Sequence, residues 1–329
     1  MVAVVLYLFF AVVSSGSGFT SLDGTAAWVN GMADLGMMAM PVALLMISGE
    51  LDLSVGSVVG AGSVTVGLMT GYFGLPLGVA LVAGLAIGLT FGLANGLLVT
   101  KTGMPSFIVT LGMMLIVLGL GVTIAQALTK STTLSVLIDR EGVLPRLFAS
   151  KIGDSNFDVS IVWFICITMI CAWVLRRSRF GNWILATGGD TERARRSGVL
   201  TNRVKITLFA CAGMSAVFVG MMQAVKFSTA DPTTGSGYVF DVPIVVIIGG
   251  VLITGGYGSI TGVFFGILIY GISKAGLFYA GWDANLTQVL LGALLLVAVI
   301  SNNRLRKMAL SPPRFARRPP VAKEGVANG

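Results

Sequence analysis

The chain contains no histidine in 329 residues. That absence excludes a Ser-His-Asp triad, a Cys-His dyad, an HExxH zinc site and a histidine proton relay. Cysteine is nearly as scarce: Cys166, Cys171 and Cys211 lie within apolar runs at spacings that match no metal site. Thiols so placed behave as small hydrophobes. Charge is also short, at 11% of residues, against roughly 25% in soluble domains. What is present instead is 55% hydrophobic residues, 44 glycines and a mean hydropathy of +0.90. Disordered, collagen-like and disulfide-stapled chains are excluded by the same composition. The medium around most of this chain is lipid.

About 20 apolar residues cross a bilayer. Ten runs of suitable character are predicted near 2–18, 32–49, 54–70, 77–99, 105–128, 159–175, 204–224, 242–254, 258–278 and 285–302. The second, third and eighth are short or broken by glycine, Pro41 or Pro243. They are therefore expected to be tilted, interrupted or re-entrant, which membranes tolerate where backbone lines a cavity or is buried in protein.

Two stretches hold the positive charge. Residues 176–205 carry eight basic residues against Asp190 and Glu192, and residues 304–329 carry seven against Glu324. Basic loops stay cytoplasmic during insertion. Four spans separate the two stretches, so both fall on one side, and parity places both termini there too. The charge-balanced loop at 129–158 falls outside. No basic residue precedes the first span, which favours a retained helix over a cleaved signal peptide. The organisation expected is a transmembrane domain over 1–303 and a basic, disordered cytoplasmic tail over 304–329 lying near anionic lipid headgroups.

Three clusters stand out. Gly49-Glu50-Leu51-Asp52-Leu53-Ser54-Val55-Gly56-Ser57 places two carboxylates between apolar runs. Carboxylates so placed mark functional sites, though a short turn with Asp52 or Ser54 capping the next helix explains them as well. Gly249-Gly250, Gly255-Gly256-Tyr257-Gly258-Ser259 and Gly262 form a glycine-rich run. It lacks the Lys-Ser/Thr of a phosphate-binding loop, so close helix packing is favoured. The third cluster runs Gly188-Gly189-Asp190-Thr191-Glu192-Arg193-Ala194-Arg195-Arg196-Ser197-Gly198. Asp190 or Thr191 as N-cap and Gly198 as stop define a helix of about two turns. It docks on a partner protein or simply fixes topology at the headgroups. No aromatics interleave its arginines, which argues against nucleic acid.

From about Phe19 to Asn303 the sequence resembles the permease subunit of ribose-type sugar ABC importers, the inner-membrane component of binding-protein-dependent transport systems. The resemblance rests on Gly49 to Ser57, Gly92-Leu93-Ala94-Asn95-Gly96, Pro105-Ser106-Phe107-Ile108-Val109-Thr110-Leu111-Gly112, the loop from Phe180 to Gly198, and Gly249 to Gly262. Each motif is weak alone, and five in order are specific. This chain departs from the pattern at Glu50, where a glycine is usual, at Val239, and at Leu118-Gly119.

The resemblance implies an all-α, type II importer-like permease of about ten helices in the bacterial inner membrane. It also implies no catalytic residue, metal or cofactor of its own. Partners implied are an ABC ATPase subunit, a periplasmic or lipid-anchored sugar-binding protein and a second permease subunit, identical or diverged. Residues 188–198 would couple to the ATPase. Asp52, Ser54, Ser57, Asn95, Phe107 and Thr110 are candidates for the pathway or its gate, while Gly249, Gly250, Gly255, Gly256, Gly258 and Gly262 serve packing and turns. A self-contained secondary transporter or channel is the rival reading. It would place ionisable residues at mid-membrane, whereas Asp34, Glu50, Asp52 and Lys274 fall near the expected span ends. An intramembrane enzyme or a purely structural subunit are further alternatives.

Overall fold

A computed structural model describes residues 2–283 and 285–310, with side chains through 301. In chain order the helices are α1 (Val2–Val13), α2 (Leu22–Ile47), α3 (Val55–Val66, continued by a π-helical segment, Gly67–Tyr72), α4 (Leu77–Thr102) and α5 (Ser106–Thr129). There follow α6 (Val143–Ala149), α7 (Ser160–Arg177), α8 (Arg179–Gly189), α9 (Thr191–Arg196), α10 (Thr201–Phe227), α11 (Tyr238–Ile248), α12 (Ile260–Tyr279) and α13 (Leu286–Leu310). Strand β1 (Leu134–Ser135) pairs antiparallel with β2 (Thr229–Ala230). Among the described residues seven helices are long and apolar enough to cross a membrane, and Val2–Val13, Tyr238–Ile248 and Leu286–Ser301 are shorter apolar helices. The fold is an all-α polytopic bundle.

Helix α2 is its central pillar. Every residue from 32 to 47 is buried, against α7, α10, α11 and α12. Helices α5 and α7 are peripheral and show outward faces such as Leu115 and Ile116, or Met169 and Ile170, which suit hydrocarbon. Between α4 and α10 much of the contact is backbone on backbone. Gly84, Gly88, Gly92 and Gly96 recur every fourth residue and face α10 along its length: a Cβ on Gly92 would lie 2.5 Å from the Phe209 carbonyl, and one on Gly96 would lie 2.8 Å from Ile206 Cα. Small residues at that spacing bring membrane helices together.

Several expected boundaries move. The second span, expected at 32–49, is a 26-residue helix starting at Leu22, and it accommodates Pro41 without ending. Asp34 consequently lies well inside α2 rather than at a span end, while Lys274 stays near the end of α12. The first span ends at Val13, short of 18. The eighth is an 11-residue helix over 238–248. It is followed by a loop, so the expected 242–254 span is interrupted at the glycines. Helix α13 continues to Leu310, into the stretch read from sequence as tail, while residues 311–329 lie outside the described residues.

Candidate functional site

At the arginine-rich end, α7 passes into α8 through Ser178, whose Oγ accepts from Gly181 N at 3.0 Å. Helix α8 ends at Gly188 and Gly189, and Asp190 caps α9 by accepting from Arg193 N at 3.0 Å. The short helix expected between an Asp190 or Thr191 cap and a Gly198 stop is α9, Thr191 to Arg196, with Gly198 at φ +87°, while Gly188 and Gly189 belong to the end of α8. Ala194 is the buried residue of α9, while Arg193, Arg195 and Arg196 are exposed. Arg193 pairs with Asp190 at 2.9 Å and Arg195 with Glu192 at 3.0 Å. Exposed pairs of this kind contribute little stability, so the arginines remain available for a partner.

The hook formed by α8 and α9 rests on the core through backbone atoms. A Cβ on Gly188 would fall 1.9 Å from the Ile47 carbonyl and 2.5 Å from Gly256 N. Gly256 N itself donates to Ile47 O at 2.8 Å, and Gly255 packs on Gly49. Gly249 and Gly262 similarly let α11 and α12 approach, and Gly258 lies against Ile47 and Val251. Gly250 takes φ +88° in the turn that follows α11.

The loop between α2 and α3 is bonded internally and to its neighbours. Asp52 Oδ1 accepts from Ser54 N at 2.8 Å and Ser54 Oγ at 2.6 Å, and Asn95 Nδ2 on α4 donates to Ser54 Oγ at 2.8 Å. Leu51 N donates to Ser106 Oγ at 3.0 Å, and Leu53 N to Thr110 Oγ1 at 3.1 Å, both acceptors on α5. Ser57 Oγ donates to Ser54 O at 2.9 Å. Asp52, Ser54, Ser57, Asn95 and Thr110 are therefore buried together, whereas Phe107 is 49% exposed on α5. Glu50 pairs with Lys205 in the first turns of α10 at 2.5 Å. Replacing Asp52 by Asn leaves the acceptor weaker and neutral; destabilisation of about 1–2 kcal/mol is expected, readable as a lower midpoint in thermal unfolding of the purified protein.

A second polar region went unnoticed in sequence. A cavity of about 1460 Å³ lies between α2 and α10 to α13, in the half away from the arginine-rich end. On one wall Lys226 bonds Asp158 and stands 4.0 Å from Asp34, while Gln223 Nε2 donates to Tyr238 OH at 2.7 Å and lies 3.5 Å from Asp34. On the other, Tyr270 OH donates to Asp241 Oδ2 at 2.7 Å and accepts from Lys274 Nζ at 3.3 Å. None of the six pathway or gate candidates is among its lining residues. The signal available was the rule that ionisable residues inside a membrane helix mark function. Span ends misplaced by a few residues put Asp34, Lys226 and Asp241 at or beyond the boundaries. Beyond the cavity, Asp231 anchors the turn after β2. Partial burial pushes its carboxyl up, but hydrogen bonds from Thr233 and Thr133 outweigh that and hold it below the usual carboxylate range.

A helical bundle of this apolarity, with a cationic hook at one end and a polar cavity open within the other half, defines a polytopic membrane transport protein. The chain belongs to the family described as branched-chain amino acid transport system / permease component, which it matches over residues 24–299. It is 30% identical to the fructose import permease protein of Rhizobium meliloti, over 94% of this chain and 85% of that one. To a probable ABC transporter permease protein of Escherichia coli K12 it is 32% identical, over 92% and 87% of the two chains. To the ribose import permease protein of the same organism it is 30% identical, over 82% of each. No solved structure matches it. The ribose-type resemblance carried by the five motifs agrees with these relatives. As a permease component, the chain is a non-catalytic subunit.

Proposed function

We propose that this protein is the membrane subunit of an ATP-driven, binding-protein-dependent importer that carries a sugar, whether pentose, hexose or cyclic polyol, across the bacterial inner membrane. The observation that supports it best is the hook at 188–198, an exposed cationic helix seated backbone to backbone on the end of α2. A rigid seat of this kind transfers a displacement of α9 to the bundle. An ABC ATPase subunit is the partner for that surface, with both chain termini on the same cytoplasmic side. A periplasmic or lipid-anchored binding protein delivers the sugar to the opposite end, and a second permease subunit, identical or diverged, completes the pathway.

Asp52, Ser54, Ser57, Asn95 and Thr110, with Phe107 nearby, form the cytoplasmic gate in this reading. Their mutual hydrogen bonds tie the 48–54 loop to α4 and α5, so the loop opens only when those helices separate. The test of coupling is reversal of Arg193, Arg195 and Arg196 to glutamate in proteoliposomes with the ATPase and binding protein. Uptake should fall to background while membrane insertion is kept, and wild-type uptake in the triple variant would remove the coupling role. The ion pairs of the cavity favour a second reading, a self-contained secondary transporter. Sugar accumulation that an uncoupler abolishes while ATP is maintained would select it.

A further inference from the structure

We propose that the cavity between α2 and α10 to α13 is a binding site within this one subunit for a neutral, polyhydroxylated solute, held by Gln223, Tyr238, Asp241, Tyr270 and Lys274; this rests on the sugar-import reading above.

The first argument is where α11 begins. After α10 ends at Phe227, the chain does not start its next helix at the bundle's edge. Residues 231–237 run inward against α3: a Cβ on Gly60 would lie 1.9 Å from the Pro232 carbonyl oxygen, and one on Gly56 would lie 2.6 Å from that of Gly235. Helix α11 therefore starts at Tyr238 inside the bundle, and Ser236, Gly237 and Tyr238 line the cavity. Tyr238 N is taken by Gly235 O and Asp241 N by Gly237 O, so what this start brings to the cavity is the side chains of the first turn, Tyr238 and Asp241.

Charge decides the class of solute. The cavity is faced by three carboxylates, Asp34, Asp158 and Asp241, and two ammonium groups, Lys226 and Lys274. Lys226 is already engaged by Asp158 and Asp34, and Tyr270 links Asp241 to Lys274. An entering anion would meet a carboxylate in excess of the ammonium groups and would have to break one of these pairs in a setting where unpaired charge is expensive. A hydroxyl, at once donor and acceptor, needs no pair broken. Among the described residues Gln223 Oε1 and Asp241 Oδ1 have no hydrogen bond, and Lys274 uses one of its three N–H groups on Tyr270. Aromatic walls from Trp28, Tyr238 and Tyr270 offer surface for the apolar face of a sugar ring. At about 1460 Å³, the space exceeds the roughly 300–1,000 Å³ of tight small-molecule pockets. It therefore suits a solute still carrying water, held weakly enough to leave.

The experiment uses Gly31→Cys, on the cavity wall at a position where an added Cβ meets nothing within 4 Å, with Cys166, Cys171 and Cys211 changed to alanine. The full chain in lipid nanodiscs is labelled with a membrane-impermeant maleimide in the presence of D-ribose, D-fructose, L-arabinose or myo-inositol. At least one of these should slow labelling, while L-leucine and sodium chloride at equal concentration should not. Asp241→Asn and Gln223→Ala should each raise the half-protecting concentration about tenfold. Where either variant aggregates, Tyr270→Phe, which keeps the ring, gives the same readout. Protection by leucine or salt, none by any polyol, or protection unchanged in the variants overturns the proposal. ATP-driven sugar uptake by the unmodified chain with its partners is measured in parallel. Uptake without protection removes this site alone; protection without ATP-dependent uptake removes the importer reading alone.

Discussion

Gly188→Ala should abolish ATP-driven uptake and destabilise the protein by about 3 kcal/mol, whereas Gly189→Ala should do neither. The contrast follows from one residue's difference in position. A methyl at 188 meets the Ile47 carbonyl at 1.9 Å and Gly256 N at 2.5 Å, both backbone atoms, while a methyl at 189 meets nothing within 4 Å. Backbone already joined by a hydrogen bond from Gly256 N to Ile47 O cannot give way as a flexible side chain would. Either α8 lifts off α2 or the bond breaks. At 189, alanine keeps the hook in place and favours the helical end of α8 by up to ~1 kcal/mol. Thermal unfolding in detergent, paired with uptake in proteoliposomes, separates the two. Equal behaviour of the variants would show that α8 does not bear on the core.

The second large effect concerns Glu50. Its pair with Lys205 is 2.5 Å long, with side-chain exposures of only 9% and 16%, so salt screens it little. Glu50→Gln leaves an ammonium group with no counter-charge in a mostly apolar wall. About 3 kcal/mol of stability should be lost, while the double variant Glu50→Leu/Lys205→Met should recover most of it. The double-mutant cycle should return a coupling energy of about 1–3 kcal/mol, measured in thermal or denaturant unfolding. Because the pair joins the 48–54 loop to the start of α10, the same cycle applied to uptake per ATP hydrolysed tests its part in coupling. A vanishing coupling energy in both assays would reduce the pair to a surface contact.

How far these features were legible depended on whether their signal was local. The hook was: Asp190, three arginines and Gly198 lie within nine residues and carry cap, helix and stop together. The spans were legible where apolar runs were long, as in α4, α5 and α12. Helix α2 was cut short because 22–31 reads Leu-Asp-Gly-Thr-Ala-Ala-Trp-Val-Asn-Gly, a stretch whose polarity and glycines resemble a loop. It is helical because Ser21 caps it, accepting from Gly24 N at 3.0 Å, and because α12 and α7 pack along it. That protein neighbourhood asks for less hydrophobicity than lipid does. The cavity was invisible for a different reason: Asp34, Gln223, Asp241 and Lys274 are single polar residues spread over 240 positions of chain, and only the packing of five helices makes them neighbours.

The glycine-lined seam between α4 and α10 has a mechanical consequence. Where two helices touch through side chains, interlocking rotamers can yield and absorb a small displacement. Where they touch through backbone, at Gly88, Gly92 and Gly96, there is no such cushion, and only at Gly84 does a side chain, that of Met221, intervene. The pair behaves as a stiff rod, fed at its lower end by the loop that carries α9 and delivered at its upper end to Gln223 and Lys226 beside the cavity. On the coupling proposed above, a push of an ångström at α9 would arrive a membrane's thickness away with little loss, and without any wire of polar contacts to carry it.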